Sequence, residues 1–265
     1  MGVTSSYDPA RNASSLAGFV RRHDPDRFLT ALFAPPAKRE ALFALYAFNH
    51  ELARARETVS EAPLALIRLQ WWREVVEGAR RRHEVAEPLS AAIGEGALRR
   101  EDLLDIIEAR EIEGEPAIET SREWHKYLRA GAGGLAVAAA RLLGAPDPEQ
   151  VRPCGTAFGL AGVLRSVGAH ARQGRCLLPL DTLAEHQLSS DQVIADPQAA
   201  LGVVALLASE GLTSMRHVRS PRPAVAAALP AVLARRDLRR APLFARPRSA
   251  GDRMAVIWAG LTGRI

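Results

Sequence analysis

Residues 37–57 read AKREALFALYAFNHELARARE and directly follow the pair Pro35-Pro36. Apolar side chains recur here at three- and four-residue intervals, which is the spacing of one face of an amphipathic helix. This apolar stripe consists of Ala41, Leu45, Phe48, Leu52 and Ala55. A second, mixed stripe lies about 100° around the helix and consists of Tyr46, Asn49, Ala53 and Glu57. The pattern predicts a helix that packs one face into a core and presents another face to a different environment.

The rest of the chain has the same helical character. Ala, Leu, Arg and Glu dominate, while prolines and glycines fall mainly at the ends of apolar segments. Further helices are expected from near Pro63 onward and over residues 88–93, 100–113, 120–143, 148–170, 199–217, 224–233 and 251–261. Because the sequence contains no hairpin signal and no repeat of about 20 to 50 residues, it predicts an all-α fold.

The composition is that of one globular domain. A chain of 265 residues and 28.6 kDa buries a full core without subdividing, so we expect a single domain over residues 1–265. The longest apolar stretches, such as residues 131–140, are well short of the roughly 20 residues that a membrane-spanning helix needs. The chain has only two cysteines, Cys154 and Cys176, and neither belongs to a CxxC pair. We therefore expect a reducing, cytoplasmic location.

The chain from about residue 213 onward is a basic C-terminal part. It contains eleven arginines and two aspartates, including the run RRDLRR over residues 235–240. Such a part can bind an anionic lipid surface, a nucleic acid or an acidic protein, or it can form an ordinary solvated face. Because no nucleic-acid-binding motif or aromatic stacking platform accompanies the run, we rank attachment to a membrane surface above binding to nucleic acid.

The predicted helix over residues 148–170 carries glycines on one side. Its core stripe contains Leu160 and Leu164, and the opposite stripe consists of Gly155, Gly159, Gly162, Ser166 and His170. Each glycine inside a helix costs about 1 kcal/mol relative to alanine. Two explanations stay open at this point: close packing against another helix, or the wall of a cavity.

Four blocks of the chain resemble the squalene/phytoene synthase family in the order in which that family has them. They lie between about residues 25 and 183. The blocks are Pro36-Ala-Lys-Arg39 with Phe43-Ala-Leu-Tyr-Ala-Phe48; Arg68-Leu-Gln-Trp-Trp-Arg73; Tyr127 followed by Gly131 and Gly134; and Leu164-Arg165 leading to Gly174-Arg-Cys-Leu-Leu-Pro179. Each block alone is a weak signal, whereas four in order on an all-α chain are specific.

The resemblance implies an isoprenoid-synthase-type helical bundle around a central cavity. Active members of the family join two prenyl diphosphates head to head. That reaction needs Mg²⁺, a hard cation held by carboxylates together with the phosphate oxygens of the substrate. The family places these carboxylates in two aspartate-rich motifs on facing helices, four residues apart in each motif.

The sequence departs from the family at both motifs. Where the first motif has aspartates, this chain has Ala53, Arg54 and a single carboxylate, Glu57; where the second has them, it has Ser166 and His170. The two walls thus lack the ligands for a magnesium cluster, and Arg54 would repel the ion. We therefore expect no catalytic residue, no metal and no cofactor, with Mg²⁺ needed only if the chain is an enzyme after all.

The stripes and the retained blocks together define the residues expected to line the cavity. Arginines can also hold a phosphate directly, without metal, and Arg165 and Arg175 suit that role. The candidate substrate-binding residues are Tyr46, Asn49, Ala53, Glu57, Tyr127, Gly159, Arg165, Ser166, His170 and Arg175.

The stretch Ala47-Phe-Asn-His-Glu-Leu-Ala53 resembles one branch of the family in particular, which contains assembly factors of respiratory complex I. The resemblance implies a non-catalytic protein that assists complex I assembly, with complex I subunits or intermediates as partners and an isoprenoid or lipid as ligand. It also implies a peripheral location at the inner membrane. The alternative is a divergent prenyltransferase that condenses two prenyl diphosphates; a lipid-binding module without an assembly role is a third reading.

Overall fold

A computed structural model describes residues 9–57, 62–115, 117–215, 222–242 and 247–265. In these ranges the chain forms helices and connecting turns and contains no strand, so the predicted all-α class is confirmed. The α-helices are α1 Pro9–His23, α2 Pro25–Ala31, α3 Pro36–Glu57, α4 Ala62–Glu77, α5 Ala86–Gly94, α6 Arg100–Glu111, α7 Ser121–Ala130, α8 Ala132–Leu143, α9 Arg152–Arg165, α10 Val167–Arg172, α11 Leu180–Glu185, α12 Ser190–Ala195, α13 Leu201–Ser214, α14 Val225–Ala228, α15 Pro230–Leu238 and α16 Ala250–Thr262.

Helices α8 and α9 form the centre of the bundle. Helix α8 is apolar around most of its circumference and nearly all of it is buried, as expected for a helix that neighbours surround on every side. Helix α9 packs between α8 and α15, while α3 and α6 cover α8 from the other side. On α3 the predicted core residues Leu45, Phe48 and Leu52 are fully buried, so the stripe at helical spacing does face the core.

Two predicted helices are interrupted in the structure. The expected helix over 120–143 breaks at Gly131, which ends α7 and begins α8. The expected helix over 148–170 begins as a 3₁₀ turn over Pro148–Val151 and breaks again at Ser166, between α9 and α10. Both breaks lie beside the same cavity, where they leave small residues on its wall.

The glycine stripe of α9 serves both purposes that the sequence left open. A Cβ on Gly155 would overlap the Ala132 carbonyl oxygen, and a Cβ on Gly159 would overlap the Ala132 side chain, so both glycines allow α8 to approach closely. A Cβ on Gly162 would meet nothing within 4 Å, because this glycine faces the cavity.

We expect Gly155→Ala and Gly162→Ala to change stability in different directions. Gly155→Ala forces a methyl group against the backbone of α8 and should lower the free energy of unfolding by about 2 kcal/mol. Gly162→Ala adds helix propensity without a clash and should leave that free energy unchanged or raise it by up to about 1 kcal/mol. Urea unfolding of the two variants measures the difference. Equal losses would contradict the assignment of Gly155, and not Gly162, to the contact with α8.

Both aspartates of the basic C-terminal part are buried and paired with arginines of that part. Asp252 is buried and accepts hydrogen bonds from Arg236 (2.7 Å) and Arg240 (2.9 and 3.2 Å). The other aspartate of this part, Asp237, is also buried; it pairs with Arg248 at 2.6 Å and with an arginine of α9. Two arginines of the 235–240 run are therefore paired within the protein, and attachment of the run to a membrane surface stays a prediction. Residues 216–221 and 243–246 lie outside the described ranges.

Candidate functional site

A cavity of about 260 Å³ lies between α3, α7, α9 and α10. Most of the residues expected from the sequence line it, including members of the mixed stripe of α3 and of the glycine stripe of α9. The predicted residues on its wall are Asn49, Ala53, Tyr127, Gly159, Ser166, His170 and Arg175. The fold thus brings residues from segments far apart in the chain to one wall. Their role in binding a ligand stays a prediction.

A buried carboxylate organises one side of the cavity. Glu113 lies in a 3₁₀ turn after α6 and is 6% exposed. It accepts hydrogen bonds of 2.6 Å from Arg110 and of 2.6 Å from the Tyr127 hydroxyl. Arg110 also donates to Asn49 at 3.4 Å, and Arg175 donates to the Glu113 carbonyl oxygen at 3.4 Å. Burial and the neighbouring Glu113 raise the pKa of Tyr127, so its hydroxyl stays a donor at neutral pH.

A second ion pair lies on the opposite side, near the start of α2. Asp24 caps α2 by accepting from the Arg27 backbone N–H at 3.0 Å, and its carboxylate pairs with the Arg27 guanidinium at 2.7 Å. The guanidinium also lies over two aromatic rings, 4.8 Å from the centre of Phe158 and 5.7 Å from that of Tyr46. These contacts hold Arg27 in place at the cavity wall.

Two histidines of the cavity are neutral at pH 7. Burial lowers the pKa of His170 to about 4, with Arg175 adding to the effect, and burial next to His23 lowers the pKa of His50 to about 4. Each also has one buried ring nitrogen, Nδ1 of His170 and Nε2 of His50, without a hydrogen-bond partner in the described structure. A buried polar atom of this kind is one that a bound ligand or water would satisfy.

The charges on the wall favour an anion. Three arginines and two carboxylates are found among its described residues, and the carboxylates are already paired with two of the arginines. Since both histidines are neutral, the balance is positive. Arg175 donates to the backbone carbonyl oxygen of Glu113 at 3.4 Å, which keeps its guanidinium at this wall.

The wall does not fit a magnesium cluster. Ala53, Ser166 and His170 line it where the family pattern would need carboxylates. Glu113 is bound to Arg110 and Tyr127, and across the described ranges no three His, Cys, Asp or Glu side chains come together to hold a metal ion. The Glu57 side chain lies outside the described residues, so the expected lack of a metal remains a prediction.

The structure places two of the candidate residues elsewhere. The Arg165 guanidinium donates to Asp237 of α15 at 3.0 Å, because it lies about 100° around the helix from the neighbouring Ser166. Tyr46 is 2% exposed and borders a separate void of about 10 Å³ beneath Arg27. Neither residue lines the cavity.

Sequence reasoning missed two of the arginines on the wall. Arg27 and Arg110 lie outside the four blocks that resemble the squalene/phytoene synthase family. A local signal exists for each: Asp24 precedes a proline at the start of α2, and Arg110 stands three residues before Glu113. Such signals predict a cap or an ion pair, but not that both arginines face one cavity.

A larger groove of about 370 Å³ runs beside the cavity, along α6 and α7, and shares Tyr127 with it. Its rim carries Asp105 and Glu108 together with Lys126 and Arg152. The Tyr127 hydroxyl bonds to Glu113 on the cavity side, so this ring separates the two spaces.

The profile of the squalene/phytoene synthase family matches residues 20–246. This chain therefore belongs to the squalene/phytoene synthase family. A dehydrosqualene synthase crystal structure shares the fold, with a TM-score of 0.70 and 15% sequence identity over 96% of both chains.

Two curated relatives define where in the family the chain lies. Complex I assembly factor 6 of Rattus norvegicus is 30% identical over 225 residues, 81% of this chain and 68% of the relative. Phytoene synthase of Arthrospira platensis is 27% identical over 182 residues, 59% of this chain and 57% of that enzyme. The resemblance to the assembly-factor branch is thus confirmed.

Proposed function

We propose that this protein is a non-catalytic member of the family that assists the assembly of respiratory complex I. Relatives named as complex I assembly factor 6 support the assembly role. The observation that carries the non-catalytic part is the cavity wall, where Ala53, Ser166 and His170 occupy the positions expected for metal-binding aspartates.

The proposed ligand is an isoprenoid or lipid with an anionic head group, held without Mg²⁺. Arg175 and the pair of Arg110 with Glu113 provide a positive wall, and arginine forms charge-assisted hydrogen bonds with phosphate. The proposed partners are complex I subunits or assembly intermediates. The proposed location is the inner membrane, on its cytoplasmic side and peripheral to it. Within the described ranges, no helix combines the length and the apolar character required to cross a bilayer.

Deletion of the gene tests the assembly role. We expect complex I activity to fall several-fold while the cellular isoprenoid lipids stay unchanged, and the wild-type gene should restore it. Ser166→Phe fills the cavity and should fail to restore activity, whereas Ser209→Phe, on the exposed surface of α13, should restore it. Restoration by both variants would show that the assembly role does not need the cavity.

A divergent prenyltransferase is the second candidate, favoured by the phytoene synthase relative and by the retained Glu57. Purified protein with Mg²⁺ and radiolabelled farnesyl or geranylgeranyl diphosphate separates the two functions. The proposed function predicts no condensation product. Turnover that Glu57→Gln abolishes would establish the enzyme instead.

A further inference from the structure

Helix α16 has an apolar face that points away from the protein. Met254, Trp258 and Leu261 are 60%, 69% and 75% exposed. Their spacing of four and three residues places them within about 60° of one another around the helix. The opposite side of α16 contributes Val256 and Ala259, which are buried against α15 and the end of α2. The helix is therefore fixed to the body of the protein by one apolar face and exposes a second.

The contact with α2 is close. A Cβ on Gly260 would overlap the ring of Phe33, so this glycine allows α16 to lie directly on the turn that follows α2. Leu32, the residue before Phe33, is 42% exposed. The exposed apolar face is consequently carried by a rigid element, and not by a loose terminus.

The charges around this face are positive. Arg253 of α16 and Arg264, just after this helix, are exposed, and neither forms an ion pair within the described ranges. The sequence after residue 238 contains one acidic residue, Asp252. It is buried and already bound by Arg236 and Arg240, so it offers no negative charge at the surface.

We propose that the face of Met254, Trp258 and Leu261 docks onto an anionic phospholipid bilayer. A tryptophan beside aliphatic side chains suits the boundary between head groups and acyl chains. The exposed arginines would meet the lipid phosphates and strengthen the binding by about fivefold each. A second copy of the chain fits the face poorly, because a twofold dimer would bring two positive rims together.

This proposal rests on the proposed peripheral location at the membrane. It assigns the membrane-binding surface to α16 in place of residues 235–240. It also concerns a part of the protein that is separate from the cavity. Its test needs no assembly assay, so its failure would leave the role in complex I assembly standing.

Flotation of the purified full chain with vesicles measures the binding. We expect the protein to float with vesicles of phosphatidylcholine mixed with phosphatidylglycerol, and much less with phosphatidylcholine alone. Leu261→Ser and Trp258→Ser should each weaken the binding by about tenfold. The matched control Leu206→Ser, at a leucine of α13 that is 39% exposed, should leave it unchanged. Arg253→Gln should weaken binding only to the anionic vesicles, and Arg122→Gln on α7 should not.

Acrylamide quenching of tryptophan fluorescence provides a second readout. Anionic vesicles should protect the wild-type protein from quenching, and Trp258→Phe should abolish that protection while retaining flotation, since phenylalanine also inserts. Equal flotation of Trp258→Ser and Leu206→Ser, or no flotation of the wild type, would overturn the proposal. So would a dimer in sedimentation that Trp258→Ser converts to monomer.

Discussion

Glu113→Ala is expected to lower the free energy of unfolding by about 4 kcal/mol, because it breaks a buried ion pair. The carboxylate accepts hydrogen bonds from Arg110 and from Tyr127, and all three side chains are largely or fully buried. Its removal leaves the Tyr127 hydroxyl without an acceptor and the Arg110 charge without its carboxylate in a cavity that is already positive. Urea unfolding followed by circular dichroism measures the loss.

Two controls separate this pair from general effects of substitution. Tyr127→Phe removes one hydrogen bond and should cost about 1 kcal/mol. Glu115→Ala, at an exposed glutamate two residues away, should change the free energy of unfolding by no more than about 0.5 kcal/mol. A wild-type melting temperature that rises with Mg²⁺, in a way that Glu113→Ala abolishes, would instead make Glu113 a metal ligand and contradict the proposed wall.

Asp252→Ala is expected to lower the free energy of unfolding by about 3 kcal/mol. The carboxylate is 1% exposed and binds two arginines of the α15 segment as well as Ser249, where it closes the capping box of α16. The loss is set at the lower end of the range for buried pairs, because the side chains of Arg236 and Arg240 are 35% and 45% exposed. Asp191→Ala, at an exposed aspartate of α12, is the control and should have little effect.

The contribution of Asp252 should depend on pH in one direction. Burial disfavours its charge, but hydrogen bonds from Arg240, Arg236 and Ser249 outweigh burial and hold the pKa of the carboxyl well below the ordinary value of 3.8. The stabilisation is therefore complete above about pH 5 and declines progressively as the pH falls through 3.8 and below. The difference between wild type and Asp252→Ala should narrow in acid. A difference that stays constant down to pH 2 would show that the carboxylate acts through packing and not through its charge.

Helical periodicity predicted several of the residues that line the cavity. It placed Asn49 and Ala53 on one side of α3 and Gly159 with Ser166 on one side of α9, and the structure brings both sides to the same cavity. The spacing of a regular helix is a local property, so the sequence suffices to group such residues. Arg165 shows the limit of such grouping: its pairing with Asp237, which lies 72 residues further along the chain, does not follow from helical spacing.

The helices that the sequence did not predict are short or atypical. Helices α2, α11 and α12 have seven, six and six residues, too few for a periodic pattern to stand out. Helix α1 contains serines, an asparagine and a glycine, which favour helices weakly. It is stabilised by packing of Leu16, Phe19 and Val20 into the core beside α3. Tertiary contacts, and not propensity, account for this element.

The amino-acid sequence alone suffices to assign the all-α class and the family, because both follow from residue types at fixed spacing along the chain. Which charges remain available depends on the tertiary structure. It pairs Glu113 with Arg110 and Asp252 with Arg236 and Arg240, and it exposes an apolar face on α16. A net charge can be counted from a sequence, but whether a charge is neutralised depends on side chains from distant segments meeting within about 4 Å.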